Sequence, residues 1–258
     1  MPTALRILVT NDDGIHAPGL VVLEKIARSL SKDVWVVAPE IEQSGASHSL
    51  SIRTPLRARK LSPKRFAVGG TPTDCVLMAV GAIVPGRIDL VLSGVNRGGN
   101  VAEDIMHSGT AAAAMEGALC DIPSIALSQL INYDDPDAKV YWQTAAKHAP
   151  DLIRRLLAGP WEKDTMINVN FPHCPPDKVK GVKVVEQGRR TVKKQLTRAV
   201  DPGSRPYYWL HWGDEGADLA RPDSDIHWMY KDYVTVTPIH LNLTHYGLLG
   251  KLKESLRA

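Results

Sequence analysis

The sequence predicts an α/β fold on a parallel-dominated sheet, with a β-rich carboxyl-terminal extension. Three observations predict it. In the first half of the 258 residues, short apolar runs of β character alternate with segments of helical period, the mark of βαβ units. The loops that follow those runs gather Gly, Asn, Asp and Ser, as loops at strand ends do. Beyond about residue 180 the pattern changes to a longer polar stretch with β-like pieces. At 44% hydrophobic and 23% charged residues the chain can bury a substantial core, which excludes disordered and fibrous classes.

Ile7-Leu8-Val9 reads as a buried first strand. After the loop 10–18, Leu20, Leu23, Ile26, Ala27 and Leu30 recur at helical spacing, and Val34-Trp35-Val36-Val37 follows as the second strand. Phe66-Ala67-Val68 is a strand leading through Gly69-Gly70 into a helix, with Thr71 as N-cap, Pro72 at the first helical position and Asp74 in the first turn. Ile88 to Leu92 is a further strand, and Thr110 to Leu119 a further helix. Later come β-like Val182 to Val185, Tyr207 to Trp212 and Tyr233 to Thr237. The expected organisation is a sheet domain at 1–180 and an extension at 181–258 grafted on it.

Cys75, Cys120 and Cys174 are odd in number, lie far apart and form no CxxC pair, which argues against a disulfide framework and a zinc cluster. Cys75 and Cys120 sit in helical apolar settings and read as core thiols. The first residues do not resemble a secretory leader, and no run approaches the roughly 18 apolar residues of a membrane span. A cytoplasmic protein without a membrane partner is expected. Lys and Arg number 31 against 28 Asp and Glu, a net +3, and the basic residues are dispersed except at Arg189 to Arg198. That run, with Arg190, Lys193 and Lys194, reads as a solvated β-loop, so no dedicated nucleic-acid partner is indicated.

In an open parallel sheet ligands bind beyond the carboxyl ends of the strands, where loops and helix N-termini converge. Thr10-Asn11-Asp12-Asp13-Gly14, Gln43-Ser44-Gly45-Ala46-Ser47 and Ser93-Gly94-Val95-Asn96-Arg97-Gly98 are therefore the segments to weigh. Adjacent carboxylates repel one another unless a cation or donors neutralise them, so Asp12 and Asp13 invite a hard divalent ion such as Mg2+ or Mn2+, to which Ser44 and Asn96 could add oxygens. An isolated Asp-Gly is also an ordinary solvated turn. Ser108, Gly109 and Thr110 open a helix, where hydroxyls and unpaired N–H groups suit an anion and Gly109 leaves the backbone open to it. Capping by Ser108 or Thr110 is the competing explanation.

Asn11-Asp12-Asp13-Gly14 with His16-Ala17-Pro18-Gly19, Val37-Ala38-Pro39, Gln43-Ser44-Gly45, Gly70-Thr71-Pro72 with Asp74-Cys75-Val76, Ser93-Gly94-Val95-Asn96, and Ser108-Gly109-Thr110 with Ala113-Ala114-Met115-Glu116-Gly117 together resemble the SurE family, the survival protein E acid-phosphatase-like nucleotidases. Tyr207-Tyr208-Trp209 and Tyr233 to Pro238 also look like family segments. The resemblance implies a Rossmann-like domain with helices on both faces and an extension used in homodimers or homotetramers. It implies a divalent-metal-dependent phosphatase acting on nucleoside 5′- and 3′-monophosphates, and for some members on short polyphosphate. The family's metal ligands fall on Asp12, Asp13, Ser44 and Asn96.

The expected mechanism has a metal on those four residues, substrate phosphate held by Asn96, Ser108, Gly109 and Thr110, and water attacking in line with Asp12 as the assisting carboxylate and Asp13 beside it. Asn11 is expected to shape the loop, and His16, His48 and His107 to be loop or core residues. A covalent aspartyl-phosphate enzyme of the haloacid-dehalogenase type would space two aspartates by one residue, unlike Asp12-Asp13. A non-catalytic metal- and nucleotide-binding regulator remains the alternative from another class.

Overall fold

The computed structural model describes residues 5–132, 135, 137–189, 194–212 and 221–256. In chain order the strands are β1 (Arg6–Thr10), β2 (Asp33–Pro39), β3 (Ala58–Ser62), β4 (Arg65–Val68), β5 (Leu90–Arg97), β6 (Ser124–Gln129), β7 (Thr165–Phe171), β8 (Gly181–Val184), β9 (Lys194–Val200), β10 (Pro206–Trp212) and β11 (Tyr233–His240). The helices are α1 (Pro18–Leu30), α2 (Pro72–Met78), α3 (Gly109–Leu119), α4 (Trp142–Ala158), α5 (Asp225–Met229) and α6 (Tyr246–Ser255). A short 3-10 helix, Ala102–Met106, lies between β5 and α3.

Nine strands form one sheet in the order β3-β4-β2-β1-β5-β6-β7-β11-β8. From β4 through β7 the neighbours run parallel, β3 and β11 are antiparallel to β4 and β7, and β8 is parallel to β11. The central strands read as continuous apolar runs because both their faces are covered. Ile7, Val9, Val34, Val36, Leu90 and Leu92 join Leu20 and Leu23 of α1 and Ala145 and Ile153 of α4 on one face. Leu8, Trp35, Val37 and Val91 join Cys75 and Val76 of α2 and Ala113 of α3 on the other. Each fully buried aliphatic side chain contributes about 1.5 to 3 kcal/mol over exposure. The expected α/β sheet with helices on both faces is observed.

Thr71 caps α2 as predicted: its hydroxyl accepts from Asp74 N at 3.1 Å, and Asp74 Oδ2 accepts from Thr71 N at 2.8 Å. The strand expected at Ile88 to Leu92 starts two residues later and runs on to Arg97. Its pairing with β6 shifts between Ser93 and Asn96, where Gly94 adopts φ +126 and a Cβ would stand 2.2 Å from Leu127 O. That irregularity is what carries Asn96 to the strand end. All three β-like pieces after 180 form strands, and the sheet runs across that boundary, since β8 and β11 are its outer strands. β9 and β10 pair only with each other. Arg190 and Lys193 lie outside the described residues; Arg198 is exposed on β9. The three cysteines are free, Cys75 and Cys174 buried and Cys120 half-buried. Among the described residues no helix is long and apolar enough to cross a membrane.

Candidate active site

The chain leaves β1 for β2 on one side of it, then crosses from β4 through α2 to β5 on the other side. β1 is thus the topological switch point, and the crevice beyond the carboxyl ends of β1 and β5 is where a ligand fits. The loop after β1 is closed by Asn11, whose Nδ2 donates to Gly14 O at 2.9 Å, while Gly14 holds φ +98. Asn11 therefore shapes the turn, as expected. The loop after β2 joins it, since Gln43 N donates to Asp12 O at 2.8 Å and Ile15 N to Pro39 O at 2.8 Å.

Asp12 is only 4% exposed and faces the start of α3. The Thr110 hydroxyl donates to its Oδ1. At Gly109 a Cβ would lie 2.8 Å from Asp12 Cβ, 3.1 Å from its Oδ2 and 3.1 Å from Pro72 Cγ. The glycine is what lets α3 end on the carboxylate, and the helix dipole favours the negative charge there. Burial nevertheless pushes the Asp12 carboxyl above its ordinary value, with the Thr110 bond opposing. Asp13 is pushed up to about 6, first by burial and then by the Asp12 charge, against a bond from Arg97 N at 3.4 Å.

The same Arg97 contact brings Asn96 to the acid pair. Asn96 Nδ2 donates to Gly98 O at 2.9 Å, which leaves its carbonyl oxygen as the atom for a ligand. Ser44 stands next to Gln43 but turns its hydroxyl to Glu42 Oε1 at 2.8 Å. Ser108 caps α3 by accepting from Ala111 N at 3.0 Å, and the Gly109 N–H remains a first-turn donor of the kind that binds anions. Thr110, expected among the phosphate-holding groups, directs its hydroxyl to Asp12.

Glu42 is the residue that sequence reasoning missed. Its charge pushes both Asp12 and Asp13 upward; as a lone acid in a polar loop it carried no signal of this. His16 is exposed in its loop, and His48 Nε2 lies 2.8 Å from Glu116 Oε2. Ser47 fastens the loop to the approach to α3, donating its hydroxyl to Met106 O at 2.7 Å and its N–H to His107 O at 3.2 Å. Among the described residues no three of His, Cys, Asp and Glu form a metal cluster. The donor set is two repelling carboxylates with an amide and a hydroxyl nearby, which suits a hard cation that keeps several waters.

The survival protein SurE family model matches residues 7–194. 5'-Nucleotidase SurE of Brucella anthropi is 50% identical over 252 residues, 98% of this chain and 97% of that protein. The protein of the same name from Brucella canis is 50% identical over 98% of each chain. The crystal structure of the SurE protein from Aquifex aeolicus superposes with a TM-score of 0.82 at 36% identity, covering 98% of this chain and 100% of that one. With the fold, the strand-end acid pair and these matches in agreement, the chain belongs to the SurE family.

Proposed function

We propose that the protein is a divalent-metal-dependent phosphatase that releases phosphate from nucleoside 5′- and 3′-monophosphates, with short polyphosphate as a further substrate. The observation that carries this is the meeting of the Asp12-Asp13 pair with the start of α3, joined by the Thr110 hydroxyl's bond to Asp12 and by the close approach of Gly109 to it. The relatives named 5'-nucleotidase SurE, half identical over nearly the whole chain, support the enzyme reading and the 5′ substrates. Asp12, Asp13, Asn96 and Ser44 would hold Mg2+ or Mn2+, which when bound supplies Lewis-acid polarisation of a phosphoryl oxygen.

The chain's own groups do the rest. The Gly109 N–H and the Ser108 hydroxyl hold phosphate oxygens at the helix start, with Asn96 across the crevice. Thr110 fixes the Asp12 carboxylate, so that Asp12 can orient a water in line with the scissile bond. Free thiols at all three cysteines agree with a reducing cytoplasm.

Phosphate release from 5′- and 3′-nucleoside monophosphates and tripolyphosphate, with Mg2+, with Mn2+ and with chelator, tests the proposal. Turnover should require the metal. Asp13→Asn should lower it by at least about 100-fold while the far-ultraviolet spectrum stays unchanged. Undiminished release in chelator overturns the metal dependence, and nucleotide binding without any release supports a regulator instead.

A further inference from the structure

We propose that Asp225, far along the chain from the acid pair, is a positioning residue of the phosphate site, pinning Ala102 and with it the short helix that delivers Ser108 and Gly109. The proposal rests on the reading of the α3 start as the phosphate site.

Ala102 is fully buried and holds a left-handed φ of +52, a conformation an alanine keeps only when its surroundings impose it. Both its backbone polar groups are held by side chains from beyond residue 180. Its N–H donates to Asp225 Oδ2 at 2.9 Å, and its carbonyl accepts from Gln187 Nε2 at 2.8 Å. The other carboxylate oxygen, Asp225 Oδ1, accepts from Gly188 N at 2.9 Å and from its own neighbour Ile226 N at 2.7 Å. Gly188 has no alternative here, because a Cβ would stand 2.8 Å from that oxygen. A carboxylate with no exposed surface that serves three backbone N–H groups is costly to bury, and apolar packing would fasten a merely structural loop at lower cost.

Two residues earlier, Asn100 is locked in the same way. Its N–H donates to Asn170 Oδ1 at 2.8 Å, and its carbonyl accepts from Asn168 Nδ2 at 2.7 Å and Asn170 Nδ2 at 3.0 Å. From Ala102 the 3-10 helix runs to Met106, with Ile105 buried beneath it, and His107 leads directly into the Ser108 cap of α3. Such a helix rises about 2 Å per residue, so a shift at Ala102 passes along a short stiff rod to the phosphate-holding groups. Asp13 and Asn96 hang on different supports, the ends of β1 and β5, and only Asp12 is tied to α3, through the Thr110 hydroxyl. Loss of Asp225 should therefore disturb phosphate more than the metal.

Asp225→Asn keeps the volume but, with its oxygen kept on Gly188 and Ile226, turns an N–H2 toward the Ala102 N–H. The expected results are a fall in kcat/KM for a nucleoside monophosphate of about 10- to 100-fold and a similar weakening of vanadate inhibition. Mn2+ affinity by calorimetry should fall less than vanadate inhibition, by no more than about threefold. Amide hydrogen exchange should quicken over 102–110 and stay slow in β1. Gln187→Ala should shift the same readouts in the same direction, and it decides the matter if Asp225→Asn fails to fold. Vanadate inhibition and exchange over 102–110 unchanged in a folded variant would overturn the proposal, as would equal loss of Mn2+ and vanadate binding. A wild-type protein that releases no phosphate would refute the catalytic reading instead, and exchange over 102–110 would still decide the clamp.

Discussion

Asp13 shows at the scale of one residue what the site asks of the fold. Its carboxyl is pushed up to about 6 by burial and by the neighbouring Asp12 charge. Unfolded, it titrates near 3.8. Between those values the folded chain holds a proton that the unfolded chain has lost, so stability falls as pH rises through that window, and the full cost is present above about 6. The shift corresponds to up to about 3 kcal/mol, an upper bound because the carboxyl keeps some contact with water. Asp13→Asn removes this cost. In chelator at pH 8 the variant should melt several degrees above wild type, on the scale of about 2 to 4 °C per kcal/mol, and at pH 3 the two should coincide. Saturating Mn2+ should reverse the order, because only the intact pair gains stability from the cation. Melting curves in the three conditions check this; a variant less stable than wild type in chelator at pH 8 would mean that the Asp13 charge is already compensated within the protein. The repulsion of the pair was legible in the sequence from adjacency alone. The Thr110 bond to Asp12 was not, since it joins residues 98 apart.

At the scale of the element, α3 is positioned by what its first residue lacks. The sequence suggested Gly109 for open backbone at a phosphate. The structure adds a second reason, the 2.8 Å that a Cβ would leave to Asp12 Cβ. Gly109→Ala should push the helix and the carboxylate apart, costing about 1 to 3 kcal/mol of stability and weakening Mn2+ and vanadate binding together. Ser108→Ala removes the cap bond to Ala111 N, costs about 0.5 to 2 kcal/mol and should leave Mn2+ affinity intact. Calorimetry with each ligand separates the two; normal binding of both by Gly109→Ala would show that the helix yields without moving Asp12. Elements whose apolar period is unambiguous, such as β1, α1, β2 and the boxed start of α2, are legible in the sequence alone. β6, α4 and β7 are not. β6 and β7 bury Ser124, Ser128, Gln129, Asn168 and Asn170, which break an apolar run, and α4 carries Pro150 inside it. Asp12, Asp13 and Asn96 stand out as candidates because they lie in the loops that follow predicted strands. Glu42 and Asp225 do not, because a single acid in a polar stretch carries no sign of the partners the fold brings to it.

Across the whole molecule, the aromatic residues of the carboxyl-terminal part divide into two groups. Trp228 and Tyr233 are used within the chain, their ring centroids 5.0 Å apart with Lys183 Nζ 4.4 Å above the Trp228 ring. The β9–β10 hairpin is different. Tyr208 is 58% exposed, Trp209 66%, Leu210 63% and Leu196 66%, and the hairpin pairs with no strand of the main sheet. A two-stranded hairpin alone is marginal in water; Tyr208, Leu210 and Leu196 share one of its faces and Tyr207 and Trp209 the other, and exposed apolar side chains on both faces mark an interface. In α6, which buries no residue, Tyr246, Leu248 and Leu252 are exposed as well. A second copy of the chain covers such surfaces most economically, because a two-fold axis lets one patch meet its twin. Aromatic anchors at the centre of an interface contribute on the order of 2 kcal/mol or more each. The Tyr208→Ala, Trp209→Ala double variant should therefore shift the assembly by at least about 4 kcal/mol, roughly a thousandfold in dissociation constant. Sedimentation velocity or light scattering at micromolar protein should find wild type as a homodimer or homotetramer and the double variant in smaller species. A wild-type monomer at that concentration would end the interface assignment and leave the hairpin an exposed arm whose apolar side chains need another partner.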